Sequence, residues 1–205
     1  NYVISFNSAS LTVTAKPVTV TADAKSKVYG DNDPTFTYTT IGLVGTDSLT
    51  GSLTRISGEN IGTYAIGQGS LSVGSNYTLS FTGNNLTITP KPIVVTVTAT
   101  SPTTAGTTTQ ASATYEGSGV ITWSAGPSSV CTIDANGVVT AVAAGDCVVT
   151  ATVAASGNYQ AGSGETTVVI QVAKANCGGG NGTDGNTPGC VGGGHNESTT
   201  TTSPT

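Results

Sequence analysis

Aliphatic and hydroxyl side chains alternate along the chain, as in Val18-Thr19-Val20-Thr21 and Leu86-Thr87-Ile88-Thr89. A period of two places the aliphatics on one face of a strand and the hydroxyls on the other. Helical periodicity is absent, and Gly or Pro punctuates the sequence roughly every ten residues, as expected where short strands meet turns. The chain therefore reads as all-β. Its surface is wetted by neutral groups: only 8% of the 205 residues are charged, against about a quarter in an ordinary soluble domain, while Thr makes up roughly a fifth. This argues against a cytosolic enzyme of usual make-up. Disorder is also disfavoured, because 36% of the residues are apolar and have something to bury. A net charge of -5 with six Lys plus Arg leaves no basic patch for nucleic acid. No apolar run approaches the roughly 18 residues of a membrane helix. Nor does the sequence from Asn1 show a charged region followed by an apolar one, which predicts either a removed signal or a segment of something longer.

The chain repeats itself. Asn1-Tyr2-Val3-Ile4-Ser5-Phe6 and Leu11-Thr12-Val13-Thr14-Ala15-Lys16-Pro17 return 75 positions later, without a gap, as Asn76-Tyr77-Thr78-Leu79-Ser80-Phe81 and Leu86-Thr87-Ile88-Thr89-Pro90-Lys91-Pro92. One complete unit, 17–91, thus follows the tail end of another, 1–16. Lys16-Pro17 and Pro90-Lys91-Pro92 mark the junctions. Proline there fixes φ and withholds a ladder donor, so the joints are short and stiff, better suited to a rod of domains than to a tether.

Within the complete unit, Lys25-Ser26-Lys27-Val28-Tyr29-Gly30-Asp31-Asn32-Asp33-Pro34 is followed by Gly51-Ser52-Leu53-Thr54-Arg55, Gly58-Glu59-Asn60-Ile61-Gly62-Thr63-Tyr64 and Ser75-Asn76-Tyr77-Thr78-Leu79. In that order these motifs resemble the MBG repeat of the type with a Tyr-Gly signature. The resemblance implies a small β domain that occurs in tandem arrays of large secreted or surface-attached bacterial proteins, without enzymatic activity.

From 92 to 174 the pattern stays β but changes. Seven short strands are predicted at 93–100, 108–115, 120–124, 130–133, 138–142, 147–153 and 166–172, a count that suits a two-sheet sandwich. Asn136-Gly137 tolerates the positive φ of a tight hairpin between two of them. Trp123, the single indole, is expected to plug the core between the sheets. Ile121-Thr122-Trp123-Ser124, the run from Ser129 through Cys131 to Ala141, and Ala144-Gly145-Asp146-Cys147-Val148-Val149-Thr150-Ala151 resemble the bacterial immunoglobulin-like domain of the second group. That resemblance implies a spacer or adhesive module of the kind found in intimins and invasins. The departure from its commonest pattern is Cys131 and Cys147, where small residues are usual; with their strands as neighbours, a disulfide is expected there.

The segment 175–205 is rich in Gly and Thr and cannot build a core, so it reads as a linker or glycosylated stalk. A Cys177–Cys190 disulfide is expected within it. Two local cysteine pairs and no metal-like Cys-x-x-Cys spacing point to an oxidising compartment. Asn181 and Asn196 lie in glycosylation sequons, with Thr199 and Thr200 as O-linked candidates.

Catalytic chemistry finds little support. The single His195 lies in the Gly-rich tail and offers no base to a nucleophile, and a metal would need it near clustered thiols. Asp31 and Asp33 flank a turn, with too few oxygens for Ca²⁺. Glu116, Asp134 and Asp146 are expected to be solvated beside turns. A Lys–Asn crosslink would require a buried lysine next to an acid; Lys25 and Lys27 share a strand face, but the sequence does not reveal burial. No cofactor is called for.

The expectation is a non-enzymatic extracellular structural protein, part of a surface stalk, adhesin or fibre. Its partners would be other copies of itself or adjacent repeats of the same polypeptide, meeting end to end or laterally. The rival class is a module binding a host receptor or glycan, which would need a concave site with convergent aromatic or acidic side chains. Two readings of 1–16 remain open: the exit hairpin of a unit upstream, or a strand donated to a neighbouring subunit, with Phe6 and Leu11 as the assembly residues. The complete unit already owns the equivalent strands at 76–91, which favours the first.

Overall fold

The computed structural model describes residues 1–101 and 103–173. Among them are fifteen strands and no helix, so no helix there is long and apolar enough to cross a membrane. Residues 1–15 carry no strand.

The first unit contains β1 (Lys16–Ala22), β2 (Lys25–Val28), β3 (Tyr38–Ile41), β4 (Thr54–Arg55), β5 (Gly62–Gly67), β6 (Tyr77–Thr82) and β7 (Asn84–Thr89). They form two sheets, ordered β3-β1-β6 and β2-β7-β5-β4. Two long arms cross from one sheet to the other side by side. β1 runs on into β2 and β6 into β7, with β1 parallel to β6 from Lys16↔Tyr77 and β2 parallel to β7 from Lys25↔Leu86. The second arm bends at Gly83, where a Cβ would lie 2.8 Å from the Ile66 carbonyl oxygen. The predicted alternation becomes the core: Val18, Val20 and Ala22 of β1 meet Ile66, Leu86 and Ile88, all essentially enclosed.

The second unit contains β8 (Thr96–Ala99), β9 (Thr103–Thr104), β10 (Thr108–Thr114), β11 (Ile121–Gly126), β12 (Cys131–Ile133), β13 (Val138–Ala141), β14 (Gly145–Val153) and β15 (Gly162–Gln171). Their sheets, β12-β13-β10-β8 and β11-β14-β15-β9, face each other as a sandwich. Each predicted strand has a counterpart. The short β9 is additional and pairs in parallel with β15 at Ile170↔Thr103; two threonines carry no period, and their partner is remote in sequence. At the Asn136-Gly137 turn, Gly137 has φ +83°. Asp134 is not merely solvated there: its carboxylate accepts the backbone N–H of Asn136 (2.9 Å) and of Val138 (2.8 Å), closing the turn.

Cys131 and Cys147 form a disulfide with a Cα–Cα distance of 5.8 Å. Their strands, expected to be neighbours, are so across the sandwich and not along a hydrogen-bonded ladder, because β12 and β14 belong to facing sheets. The bond therefore staples the two layers through the core, where both half-cystines are fully enclosed among Val139, Val149 and Val168. It occupies the centre assigned to Trp123. The indole packs against this core only half-buried, beside Gly137, whose added Cβ would meet it at 3.1 Å.

Cys177, Cys190, Asn181, Asn196, Thr199, Thr200 and His195 lie outside the described residues.

Candidate functional site

The Tyr-Gly signature builds a charged cluster at the end of the first unit that faces the second. Val28-Tyr29-Gly30-Asp31 is a turn closed by Asp31 N–H to Val28 C=O (3.1 Å), and Gly30 has φ +91°, the conformation that a type II turn demands of its third residue. The turn brings Asp33 back over β2. Lys27, whose side chain is only 4% exposed, donates to Asp33 Oδ1 (2.8 Å), to Glu59 Oε2 (2.5 Å) and to the Asp31 carbonyl (3.1 Å). Arg55 grips Asp33 through Nε (2.5 Å) and Nη2 (3.0 Å), and pairs with Glu59. Its remaining donor, Nη1, reaches the carbonyls of Ile56 (3.0 Å) and Gly58 (2.6 Å). The guanidinium also lies 5.3 Å from the centre of the Tyr64 ring. Gly58 has to be glycine: at φ +144° an added Cβ would fall 2.2 Å from that ring.

Charge pairing fixes the protonation of this group. Arg55, then Lys27, holds the Asp33 carboxyl down at about 2. Asp33 and Glu59 push Lys27 up, and Lys27 with Arg55 pushes Glu59 down. The Asp33 carboxylate, beside the turn, is taken up by two cations, Lys27 and Arg55. The burial that the sequence could not reveal for Lys27 does exist, yet its acids keep the amine protonated, whereas amide formation needs it neutral. The cluster is an ionic lock.

A depressed carboxyl contributes stability that is fully present above its unfolded value, about 3.9, and is lost as pH falls through the folded value, about 2. Lys27 works in the opposite sense: its contribution is present below the ordinary lysine value and is lost as pH rises through the higher folded one. The first unit should therefore lose stability between about pH 4 and 2. Asp33→Asn should flatten that part of the profile, as measured by urea unfolding at stepped pH. An unchanged acid slope in the variant would refute this assignment.

Beside the cluster, the second unit grasps the first. Its turn Ser156-Gly157-Asn158-Tyr159, closed by Tyr159 N–H to Ser156 C=O (3.1 Å), lies against the Pro90-Lys91 linker. Lys91 pairs in parallel with Tyr159: its N–H donates to the Asn158 carbonyl and its carbonyl accepts the Gln160 N–H, both at 2.9 Å. The Asn158 side chain then reaches the 60–61 loop, accepting the Ile61 N–H (2.8 Å) and donating to Asn60 Oδ1 (2.9 Å). The Tyr29 and Tyr159 rings meet edge to face with centres 5.6 Å apart, and Lys91 pairs with Glu116 at 2.6 Å, so Glu116 is a joint residue. Asp146 remains exposed on β14. Neither Asn158 nor Tyr159 was singled out in the sequence; the recurring Asn-Tyr pair at 1–2, 76–77 and 158–159 was the available signal.

Between the units lies an open cleft of about 520 Å³ lined by Tyr29, Asp31, Asp33, Glu59, Lys91 and Tyr159 among others. Every buried polar side-chain atom among the described residues has a partner. The arrangement joins the two units through backbone pairing, side-chain hydrogen bonds and an aromatic contact.

Residues 18–87 match the family model for the MBG domain (YGX type), and residues 83–163 match that for the bacterial Ig-like domain (group 2). Both are surface-protein domain types rather than enzyme families. No match was found among curated proteins. Among solved structures, the crystal structure of domains 4 and 5 of the S-layer protein SbsC is similar over 55% of this chain and 65% of its own, at 16% identity and a TM-score of 0.26.

Proposed function

Because the chain is an MBG domain followed by a bacterial Ig-like domain, we propose that it is a non-enzymatic, load-bearing segment of a bacterial surface stalk, adhesin or fibre. The observation that carries this reading is the joint. Backbone pairing at Lys91, the Asn158 clasp and the Tyr29–Tyr159 contact tie two separately cored β units at a proline-flanked linker. The buried disulfide adds a covalent limit to how far the second unit can open. Such a bond also supports an oxidising, extracellular setting.

Stretching single full-length chains tests the reading. Two unfolding events are expected, one per unit. The second should release a contour length that grows by roughly 50 Å when reductant frees the loop closed by Cys131 and Cys147, at about 3.5 Å per residue. Extension without discrete events would defeat a load-bearing role.

A second reading, a glycan- or receptor-binding module, is supported by the cleft, where tyrosines and carboxylates converge. Saturable binding of the full chain on a glycan array, lost on Tyr159→Ala, would favour it over the mechanical role.

A further inference from the structure

The joint at Lys91 has a counterpart at the other end of the first unit, with one side missing. Gly74-Ser75-Asn76-Tyr77 is a turn at the position that corresponds to Ser156-Gly157-Asn158-Tyr159, closed by Tyr77 N–H to Gly74 C=O (3.0 Å) but without the reciprocal Ser156 N–H to Tyr159 C=O bond of the latter. Lys16, the repeat equivalent of Lys91, pairs in parallel with Tyr77 as Lys91 does with Tyr159. Lys16 N–H donates to the Asn76 carbonyl at 2.9 Å, as Lys91 N–H does to that of Asn158. The backbone half of the clasp is therefore already made at 16 and 76. The side-chain half is not: Asn76 is exposed, and among the described residues its amide has no hydrogen-bond partner, whereas that of Asn158 has two.

Residues 1–15 present the other missing half. Their apolar positions fall in register with those that fill the first unit's core. Leu86 and Ile88 are enclosed and Tyr77, Leu79 and Phe81 pack against the same cluster, while their equivalents Leu11, Val13, Tyr2, Ile4 and Phe6 are all exposed, Phe6 and Leu11 by 90% each. Five large side chains in a core-facing pattern without a core call for a body to cover them.

We propose that the N-terminal end of this chain is a docking surface for another MBG body carried in the same polypeptide. Residues 1–15 form that body's exit arm, the equivalent of β6 and β7 and not the hairpin that the sequence suggests, since β6 and β7 lie in different sheets, and Asn76 clasps its equivalent of the Asn60-Ile61 loop. The proposal extends the rod reading, on which it rests: every junction in the array would repeat one Asn-Tyr joint, whichever domain type follows. A second copy of the chain is the poorer occupant, because its own β6 and β7 already fill the places that 1–15 would take.

The test fuses a second copy of residues 17–75 directly ahead of Asn1 of the full chain and follows amide hydrogen exchange. In the 205-residue chain, amides of 2–14 should exchange as in an open chain; in the fusion they should be protected at least about 1,000-fold, as for core strands. Asn76→Ala in the fusion should speed exchange at the added copy's Ile61 by about tenfold, the loss of one modest hydrogen bond, with 2–14 still protected. At the arm's bend the segment 1–15 has Ser8 where the first unit has Gly83, and a Cβ there crowds the Ile66 carbonyl. A fusion in which 76–90 replaces 1–15 is therefore the folding control. Protection in the control but not in the first fusion overturns the proposal. So does an added body that folds in neither, or concentration-dependent protection of 2–14 in the unfused chain, which would mean donation to a second copy. The rod reading fails separately, if the stretched chain shows no discrete events.

Discussion

Replacing Cys131 and Cys147 together by alanine should lower the stability of the second unit by about 3 kcal/mol, the loop-closure entropy restored to the unfolded chain by a cross-link of this span. The half-cystines are 16 residues apart, and alanine is chosen because serine would place hydroxyls where the structure offers only apolar neighbours. For a unit of this size the loss corresponds to a fall in melting temperature of roughly 12 °C or more. Two features make the prediction discriminating. Reductant should reproduce the loss in the wild type and do nothing further to the variant, and the first unit, with its separate core, should melt as before. A variant within about 1 kcal/mol of the wild type, small beside the effect expected from a loop of this length, would show that the staple contributes little. In that case the sheets would be held by Val139, Val149, Val168 and their neighbours alone.

The other large effect concerns coupling between the units. Asn158→Ala removes two side-chain hydrogen bonds, worth about 1 kcal/mol each, and Tyr159→Ala removes an aromatic pair worth about another. The double variant should therefore lose about 3 kcal/mol of coupling, subject to the non-additivity of neighbouring sites. Both units should remain folded, since neither side chain belongs to a core cluster. Residual dipolar couplings read the difference directly. One alignment tensor should fit both units of the wild type, and two should be needed for the variant. If one tensor still serves, the Lys91 pairing and the Lys91–Glu116 ion pair are enough to hold the pose.

What could be read from the sequence was what depends on near neighbours. The alternation through Val18, Val20 and Ala22 gave the inward face of β1, and Asn136-Gly137 gave a turn whose φ matches. What escaped depended on distant residues meeting. The burial of Lys27 could not be read because its partners, Asp33 on a turn and Glu59 beyond β4, acquire meaning only once β2, β5 and β7 are side by side. The central place of the disulfide, and with it the displacement of Trp123 toward the rim, depended on β12 and β14 entering different sheets. The joint was invisible for the same reason: Asn158 lies 98 residues from Asn60, and no local pattern separates a clasp from a loop.

The side-by-side arms of the first unit have a consequence for how a pull is borne. Force enters at the start of β1 and leaves at the end of β7, and the ladders in between, β1 with β6 and β2 with β7, are both parallel. Parallel neighbours drawn from opposite ends slide along each other instead of peeling apart. Their hydrogen bonds are then strained together, in shear, and must fail collectively rather than one after another like the teeth of a zipper. Under the load-bearing role proposed above, the strand order alone would let this unit resist a pull between its two ends in shear.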